Sequence, residues 1–293
     1  MPSLPTLFVT GASGKLGRQV IEALLEKGYS GRIIAGTRDP SKLAGLPGVE
    51  VRKADFTDPA GLAGAFEGVD RLLIISTSQP NARLAGHLAA VEAAKAAGVK
   101  ELLYTSMPTP EPPSAIGFAF EHYGTEQAIK ASGLPYTILR INWYADNLLG
   151  TLPGVIASGK WYTSAGEGRV SNPTRRDAAR AAAGALLRPS ASEVCTVTGP
   201  EALTTAQTAA IASEVTGRPI EVVNVSDEQL AAGAKAAGVP ASVADHFIVP
   251  FDRNTRENKV GMVTDAVERF WGSKPESLRD FLAANRAALV PSA

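Results

Sequence analysis

Short apolar segments alternate with longer amphipathic segments through the first half of the chain. The short segments are rich in β-branched residues and are bounded by glycine, proline or polar residues, which predicts buried strands. These strands are expected over residues 6–10, 32–36, 49–52, 71–75, 101–105 and 136–140. The longer segments carry apolar residues at helical intervals, which predicts helices over residues 16–25, 82–97 and 118–131.

Glycines mark the ends of two of these predicted helices. Gly98 and Gly133 follow the alanine-rich segments, where a left-handed residue commonly terminates a helix. Strands that alternate with helices through short loops predict a parallel sheet with helices on both faces. We therefore assign the fold class α/β, with a Rossmann-type doubly wound parallel sheet.

The pattern changes after Arg140. Glycine and proline punctuate residues 150–173, and helical periodicity then dominates. Helices are expected over residues 175–187, 204–216, 226–237 and 276–288, and strands over residues 194–197 and 220–223. These segments predict a smaller, mostly helical C-terminal cap over residues 141–293, interleaved with a nucleotide-fold domain over residues 1–140.

The first strand leads directly into three glycines, Gly11, Gly14 and Gly17, at G-x-x-G-x-x-G spacing. A strand, a glycine turn and a helix N-terminus together form an anion site, because the backbone N–H groups and the helix dipole face the turn. This arrangement predicts a dinucleotide-binding βαβ unit. The alternative is a glycine-rich turn without a ligand. The predicted cofactor-binding residues here are Gly11, Ser13, Gly14, Lys15, Leu16 and Gly17.

The end of the second strand bears on the choice between the two nicotinamide cofactors. Thr37 is neutral where an acid would hydrogen-bond the ribose hydroxyls, and Arg38 follows it. The guanidinium of Arg38 suits a 2′-phosphate, and Lys42 adds a second positive charge. Asp39 is the alternative partner for the ribose. We favour NADPH over NADH.

A further motif follows the third strand. Asp55 and Phe56 stand at its end, where an aspartate can hydrogen-bond an adenine and an aromatic ring can pack on it. Asp55 could equally be the N-cap of the next helix, although Asp58 and Pro59 compete for that role.

Composition narrows the function classes. The chain has 293 residues, of which 45% are hydrophobic and 20% charged, with 29 basic and 29 acidic residues. This balance gives no electrostatic reason to expect nucleic acid as a partner. The sequence contains no apolar segment of about 20 residues, so no membrane span is expected. The N-terminus has no leader-like segment, and we expect a cytoplasmic protein.

Cysteine and histidine usage points away from disulfides and metals. The single cysteine, Cys195, excludes an intrachain disulfide, and its strand-like surroundings indicate a buried, inert thiol. His87, His122 and His246 lie far apart in the sequence, without the spacing of metal ligands. We therefore predict no metal site.

Several of these segments together resemble a known family. Residues 10–17, 37–40 and 54–56 are similar to the NmrA-like branch of the atypical short-chain dehydrogenases/reductases. Residues 122–126 and 139–144 resemble the bacterial type 2 NAD(P)H:quinone oxidoreductases and the triphenylmethane dye reductases. The resemblance covers nearly the whole chain.

The resemblance implies a path for the cofactor. The glycine loop would hold the pyrophosphate, Arg38 the 2′-phosphate, and Asp55 and Phe56 the adenine. The residues expected to line the nicotinamide ribose are Ser76, Thr77, Thr105 and Ser106. Those expected to face the nicotinamide and the substrate are Asn142, Trp143 and Tyr144.

Ordinary short-chain dehydrogenases use a tyrosine four residues before a lysine, but here Tyr123 is followed at that spacing by Gln127. A neutral amide does not lower the pKa of a phenol as a lysine does, so alcohol–ketone chemistry is not expected. Hydride transfer to an electron-poor ring depends more on positioning than on a strong acid. His122 and Tyr123 are the candidate catalytic proton donors; alternatively, His122 only packs under the cofactor.

The sequence thus predicts an NADPH-dependent oxidoreductase that reduces a quinone or a similar flat conjugated acceptor, without flavin or metal. One alternative is a reductase of dyes, azo compounds or other aromatic compounds. Another is an NADP(H)-binding redox sensor without turnover. The expected partner is a small aromatic or quinone substrate, and a homodimer is left open.

Overall fold

The computed structural model describes residues 4–43, 48–77 and 83–290. Its largest element is a seven-stranded sheet in which every neighbouring pair is parallel. The strands in chain order are β1 (Leu7–Val9), β2 (Ile33–Thr37), β3 (Glu50–Lys53), β4 (Arg71–Ile74), β5 (Glu101–Ser106), β6 (Tyr136–Ile141), β7 (Lys160–Thr163), β8 (Arg169–Val170), β9 (Glu193–Val197), β10 (Leu203–Thr204) and β11 (Glu221–Asn224).

The order across the large sheet is β3-β2-β1-β4-β5-β6-β9. It reverses between β1 and β4, which creates a crevice at the carboxyl ends of these two strands. Near the opposite end of the sheet, the Thr6 N–H donates to the Asp70 carboxylate at 2.7 Å and the Leu7 N–H donates to the Arg32 carbonyl at 2.9 Å. The predicted Rossmann-type doubly wound sheet is confirmed.

Helices cover both faces of this sheet and build the rest of the chain. The helices are α1 (Lys15–Glu26), α2 (Pro59–Ala65), α3 (Arg83–Ala96), α4 (Ala119–Ala131), α5 (Leu148–Ser158), α6 (Arg175–Leu186), α7 (Thr205–Thr216), α8 (Asp227–Ala236), α9 (Ala241–Val243), α10 (Val249–Arg256), α11 (Ala266–Trp271), α12 (Leu278–Ala284) and α13 (Arg286–Leu289). Short 3₁₀ turns span Pro40–Leu43 and Ala145–Asn147, and a π-helical turn spans Ala244–Ile248.

Two buried cores lie on opposite faces of the sheet, because successive strand side chains point to opposite sides. Leu7 and Val9 of β1 pack with α1, α6 and α11, whereas Phe8 packs with α2, α3 and α4. The ring of Phe8 meets that of Phe66 edge to face, at a centroid distance of 5.1 Å. Because both faces of the sheet are covered, both sets of side chains are buried. This explains why the strands appear in the sequence as continuous apolar runs.

Two elements from the second half of the chain, α6 and β9, are part of the large sheet and its covering helices. Helix α6 packs on α1, and β9 extends the sheet beyond β6, so that both segments belong to the nucleotide fold. Burial raises the pKa of the half-buried Cys195 thiol on β9 to about 12. The smaller unit contains α5, α7, α12 and α13 around their own core, and two short two-stranded sheets.

Most of the predicted helices form, with local differences in their ends. Gly98 and Gly133 follow their helices at φ +74° and +78°, as the sequence predicts. The predicted helix over residues 276–288 is interrupted at Asn285, which ends α12 and precedes α13. Ala82, at the start of another predicted helix, lies outside the described residues. Within the described ranges, no helix combines the length and the apolar character that a membrane crossing requires.

Candidate cofactor and substrate cleft

A cleft of about 470 Å³ opens at the carboxyl ends of β1, β2, β3, β4, β5 and β6. It lies over the reversal of strand order between β1 and β4, where open α/β sheets bind their ligands. The structure brings together at this cleft every predicted site residue except Lys42 and Tyr123. Gly11 and Tyr144, which are 133 positions apart in the sequence, therefore line the same cleft.

The glycine loop forms the floor of the cleft. Gly11 adopts φ +59°, a conformation that favours glycine, and its carbonyl accepts a hydrogen bond from the Gly14 N–H at 2.9 Å. A Cβ on Gly17 would lie 2.4 Å from the Gly11 carbonyl oxygen, so this position requires glycine. Gly14 is the N-cap of α1 and supplies no side-chain acceptor, and the first turn carries no acid. The helix start is thus open to an anionic group.

Hydroxyl groups fasten the ends of the central strands to one another. The backbone N–H of Ile75 donates to Thr10 Oγ1 at 2.8 Å, and that of Ser76 donates to Thr105 Oγ1 at 2.9 Å. These bonds cross from β4 to β1 on one side and to β5 on the other. They set the width of the crevice at the point where the strand order reverses.

Two charged residues follow β2, and only the first of them, Arg38, lines the cleft. Arg38 is exposed and lines the cleft. The Asp39 carboxylate instead accepts hydrogen bonds from the N–H and the hydroxyl of Ser41, at 3.1 and 2.6 Å. The hydroxyl bond from Ser41 lowers the pKa of Asp39. Lys42 lies with Ser41 in the 3₁₀ turn Pro40–Leu43, but its exposed side chain does not line the cleft.

At the end of β3, Asp55 and Phe56 both line the cleft, while the N-cap of α2 is Asp58. The Asp55 carboxylate accepts hydrogen bonds from the N–H and the hydroxyl of Thr57, at 2.9 and 2.8 Å. The backbone bond from Thr57 is the main cause of its lowered pKa, and the nearby Arg38 contributes. The alternative role of Asp55 as the helix cap is therefore excluded.

A buried carboxylate stands behind Ser106, at the end of β5. The Ser106 hydroxyl donates to Glu126 Oε1 at 2.7 Å. Glu126 is fully buried on α4 and also accepts two hydrogen bonds from Arg140, from Nε at 2.9 Å and from Nη2 at 2.7 Å. The Ser106 proton is thus committed to Glu126, and the oxygen of Ser106 is left to accept a bond on the cleft side.

His122 reaches the cleft from α4 and is 95% buried. Its Nδ1 lies 2.8 Å from the hydroxyl of Tyr104, which lies 3.4 Å from Nδ1 of His87. Burial, with a smaller contribution from the charge of Arg83, lowers the pKa of both histidines to about 3. Both rings are consequently neutral at pH 7.

Tyr123 does not line the cleft, although it is adjacent to His122 in sequence. Successive residues of a helix point about 100° apart, so only one of the two can face the sheet. Gln127 is exposed on the same helix. The structure therefore places the tyrosine–glutamine pair away from the cleft and offers no geometric support for Tyr123 as a proton donor.

The three residues after β6 have different surroundings. Asn142 is buried, and its amide is occupied: Nδ2 donates to Ser171 Oγ and to the Val260 carbonyl, and Oδ1 accepts from the Trp143 N–H. The ring of Trp143 packs against that of Phe251, tilted by 40° at a centroid distance of 4.8 Å. The Arg175 guanidinium lies over the ring of Tyr144 in a cation–π contact. Asn142 thus ties the loop after β6 to the cap, while the aromatic rings form the wall.

Sequence reasoning missed several cleft residues. Most of them flank predicted ones at strand ends, a signal that a strict strand-end rule would have used. They are Thr10, Thr37, Ala54, Ile75, Met107, Phe118 and Ile141. Phe118 had no such signal, because it precedes α4 in a long loop. His87 and Tyr104, behind the cleft, read as ordinary helix and strand residues in the sequence.

The comparisons with known proteins agree with this geometry. A model of an NAD(P)H-binding family matches residues 11–189, which include the glycine loop and five of the six strands that border the cleft, all but β1. The chain belongs to this NAD(P)H-binding family. Among the described residues, no group of three or more His, Cys, Asp or Glu side chains is arranged to hold a metal ion.

Three matches, one by sequence and two by structure, cover nearly the whole chain. Quinone oxidoreductase 2 of Escherichia coli K12 is 36% identical over 89% of this chain and 91% of its own length. The crystal structure of the NADPH-dependent quinone oxidoreductase from Escherichia coli, complexed with NADPH, covers 96% of this chain and 100% of its own, at 33% identity and a TM-score of 0.90. The NADP(H) complex of Citrobacter sp. triphenylmethane reductase covers the same shares, at 33% identity and a TM-score of 0.86. The NmrA-like, atypical short-chain dehydrogenase/reductase assignment is confirmed.

Proposed function

We propose that this protein is an NADPH-dependent reductase that transfers hydride to a quinone or a similar flat conjugated acceptor, without flavin or metal. The observation that carries the proposal is a single cleft that runs from a glycine-loop anion site to an aromatic wall. The relatives named above are a quinone oxidoreductase and a dye reductase, each of a length that this chain covers almost fully.

The described residues fit the nucleotide at its charged parts. The start of α1, with Lys15 in its first turn, would hold the pyrophosphate. Arg38 would hold the 2′-phosphate, because it lines the cleft while the neighbouring Asp39 carboxylate is bonded to Ser41. Phe56 would pack on the adenine beside Asp55. These placements favour NADPH over NADH.

The opposite end of the cleft suits a flat apolar ring. Met107, Phe118, Ile141, Trp143 and Tyr144 line it, whereas the charged lining residues lie at the glycine loop and at the ends of β2 and β3. Aromatic side chains bind conjugated rings by offset or edge-to-face contact. An acceptor stacked there would lie against the nicotinamide rather than in solvent.

Reduced nicotinamide supplies hydride when it is bound, and the side chains around it supply position. Ser106, whose proton is held by Glu126, would accept a hydrogen bond from the nicotinamide ribose or amide. The hydroxyl bonds of Thr10 and Thr105 hold the crevice at a fixed width. Holding donor and acceptor rings in contact accounts for much of the acceleration in such a transfer.

The decisive experiment follows the absorbance of reduced nicotinamide with purified protein and a panel of acceptors. The panel contains a benzoquinone, a naphthoquinone, a triphenylmethane dye and an azo dye. Gly14→Asp is the test variant, since a carboxylate at the loop repels the pyrophosphate. Gly150→Asp is the matched control, because it adds the same charge in α5, where a Cβ meets nothing within 4 Å.

We expect protein-dependent NADPH oxidation with the quinones that Gly14→Asp loses and Gly150→Asp keeps. Turnover of only the dyes would move the acceptor assignment to dye or azo reduction. Tight NADPH binding by calorimetry with no turnover of any acceptor would contradict the reductase and support the redox-sensor alternative.

A further inference from the structure

A hydrogen-bonded chain behind the cleft fixes which ring nitrogen of His87 carries its proton. The backbone N–H of Thr77 donates to His87 Nε2 at 3.2 Å. A ring nitrogen that accepts a hydrogen bond carries no proton, so the proton of the neutral His87 ring is on Nδ1. His87 therefore acts as a donor on the side that faces Tyr104 and Thr125.

The hydrogen-bond directions of Thr125 and Tyr104 follow from the proton position on His87. The Thr125 hydroxyl donates to the Glu121 carbonyl at 2.7 Å, and its oxygen lies 3.0 Å from His87 Nδ1, so it accepts from His87. His87 Nδ1 already carries a proton and offers the Tyr104 hydroxyl no acceptor. That hydroxyl also contacts Thr125, whose oxygen is already engaged by His87. We therefore assign the Tyr104 proton to its short contact with His122 Nδ1, at 2.8 Å.

The consequence is a defined tautomer of His122. If Nδ1 accepts from Tyr104, the proton of the neutral ring must be on Nε2. His122 lines the cleft, its Nδ1 is engaged by Tyr104, and no hydrogen bond of its Nε2 is formed within the described part of the chain. His122 thus presents an unused N–H donor to the space beside the nicotinamide site.

The surroundings of the ring keep it neutral. Its titratable and charged neighbours are His87 and Arg83 on α3, Tyr104 on β5, and Glu121 on α4. Arg83 is paired with Glu121 at 3.0 Å, which leaves no unpaired carboxylate to stabilise an imidazolium. Burial and the Arg83 charge lower the pKa of His122, as described above. A neutral ring can donate a hydrogen bond but is a very weak acid.

We propose that Tyr104 and His87 are positioning residues that hold the Nε2–H of His122 toward the acceptor, so that His122 stabilises the reduced acceptor as a neutral hydrogen-bond donor. This inference rests on the proposed function. The acceptor would gain a hydride, with its electron pair, from the reduced nicotinamide, which would thereby be oxidised. Negative charge then develops on the acceptor oxygen that faces Nε2. His122 keeps its proton, and solvent supplies the proton that completes the product.

Two variants of His122 separate a hydrogen-bond donor from an acid. His122→Leu removes the donor, and we expect kcat to fall roughly ten- to a hundredfold with the KM for NADPH unchanged. His122→Gln keeps an N–H at the same reach, and we expect it to restore kcat to within about threefold of wild type. The wild-type kcat should show no ionisation between about pH 5 and 8. A Gln variant as inactive as Leu, with an ionisation in that range, would overturn the proposal.

Tyr104→Phe tests the positioning role. Without the phenol, the His122 tautomer is no longer held, and we expect kcat to fall roughly three- to tenfold with the KM for NADPH unchanged. Tyr136→Phe is the matched control, since this half-buried tyrosine packs in the same core at the start of β6 and does not line the cleft. Equal activity of the Tyr104 variant and its control would contradict the positioning role.

Nitrogen-15 NMR of the histidine side chains tests the network without any turnover. We expect His122 protonated on Nε2 and His87 on Nδ1 in the wild-type protein, and averaged tautomers of His122 in Tyr104→Phe. A wild-type His122 protonated on Nδ1 would refute the inference even if quinones are reduced. The predicted tautomers in a protein that reduces no acceptor would instead refute only the proposed function.

Discussion

The Oγ1 atom of Thr37 lies 2.9 Å from the Oγ atom of Ser13, which joins the end of β2 to the glycine loop. Thr37 is also 98% buried, so no charged group occupies the place from which an acid would hold the ribose hydroxyls. The next residue, Arg38, is exposed at the same edge of the cleft. We therefore propose that the cofactor preference depends on Arg38.

Replacing Arg38 with alanine should weaken the binding of NADPH and leave the binding of NADH nearly unchanged. Loss of a charge-assisted hydrogen bond to an exposed phosphate corresponds to roughly a tenfold higher KM for NADPH. Asp39→Ala is the matched control and should preserve the preference, because the Asp39 carboxylate is bonded to Ser41. The measurement compares KM for the two cofactors in each variant. An equal loss for both cofactors would show that Arg38 does not bind the 2′-phosphate.

Gly17→Ala should impair cofactor binding because its Cβ has no space. The added carbon would lie 2.4 Å from the Gly11 carbonyl oxygen and 2.8 Å from the Ala12 Cα, both of which are backbone atoms. The loop must shift, and we expect NADPH affinity to fall at least about tenfold. Gly64→Ala in α2 meets nothing within 4 Å and serves as the control. Calorimetric titration with NADPH measures both; unchanged affinity in Gly17→Ala would count against the loop as the anion site.

Glu126→Gln should destabilise the fold. The substitution leaves the guanidinium of Arg140 without its fully buried partner, which typically costs about 3 kcal/mol. Lys130→Gln is the control: it removes only the 3.6 Å contact of a partly exposed lysine with the same carboxylate, worth less than about 1 kcal/mol. Urea unfolding of the three proteins gives the differences. Similar stabilities of both variants would show that the remaining partner, Glu111, is sufficient for Arg140.

Acid should destabilise the protein through its two buried histidines. Burial lowers the folded-state pKa of His87 and His122 to about 3, below the value of 6.5 for an unperturbed ring. The unfolded chain therefore binds protons first, and stability that is complete above pH 6.5 is lost as the pH falls toward 3. Within that window, each histidine contributes a slope of about 1.4 kcal/mol per pH unit.

The pH slope can be isolated by mutation. The double variant His87→Gln/His122→Gln should show a shallower loss of unfolding free energy between about pH 6 and 4 than the wild type does. His246→Gln, in an exposed part of the cap, is the matched control. Denaturant unfolding at several pH values measures the slopes. Parallel slopes in the wild type and the double variant would mean that folding does not shift the pKa of the two rings.

The sequence by itself determined the sheet domain and the nucleotide end of the cleft. Strand and helix periodicity, the glycine spacing and the residues at strand ends are local properties of the chain, and parallel strands bring their carboxyl ends to one edge. For this reason Gly11, Arg38, Asp55 and Ser106 could be placed at the cleft before the structure was known. The same local signal could not reveal that β9 would return to this sheet.

Only the tertiary structure decided what the side chains do once they are there. The Asp39 carboxylate bonds to Ser41, the Asn142 amide is occupied by Ser171 and Val260, and Tyr123 lies outside the cleft. The contact of His122 with Tyr104, and of Tyr104 with His87, joins a strand to two helices. Hydrogen-bond partners and burial depend on packing between elements distant in sequence, which periodicity and spacing do not encode.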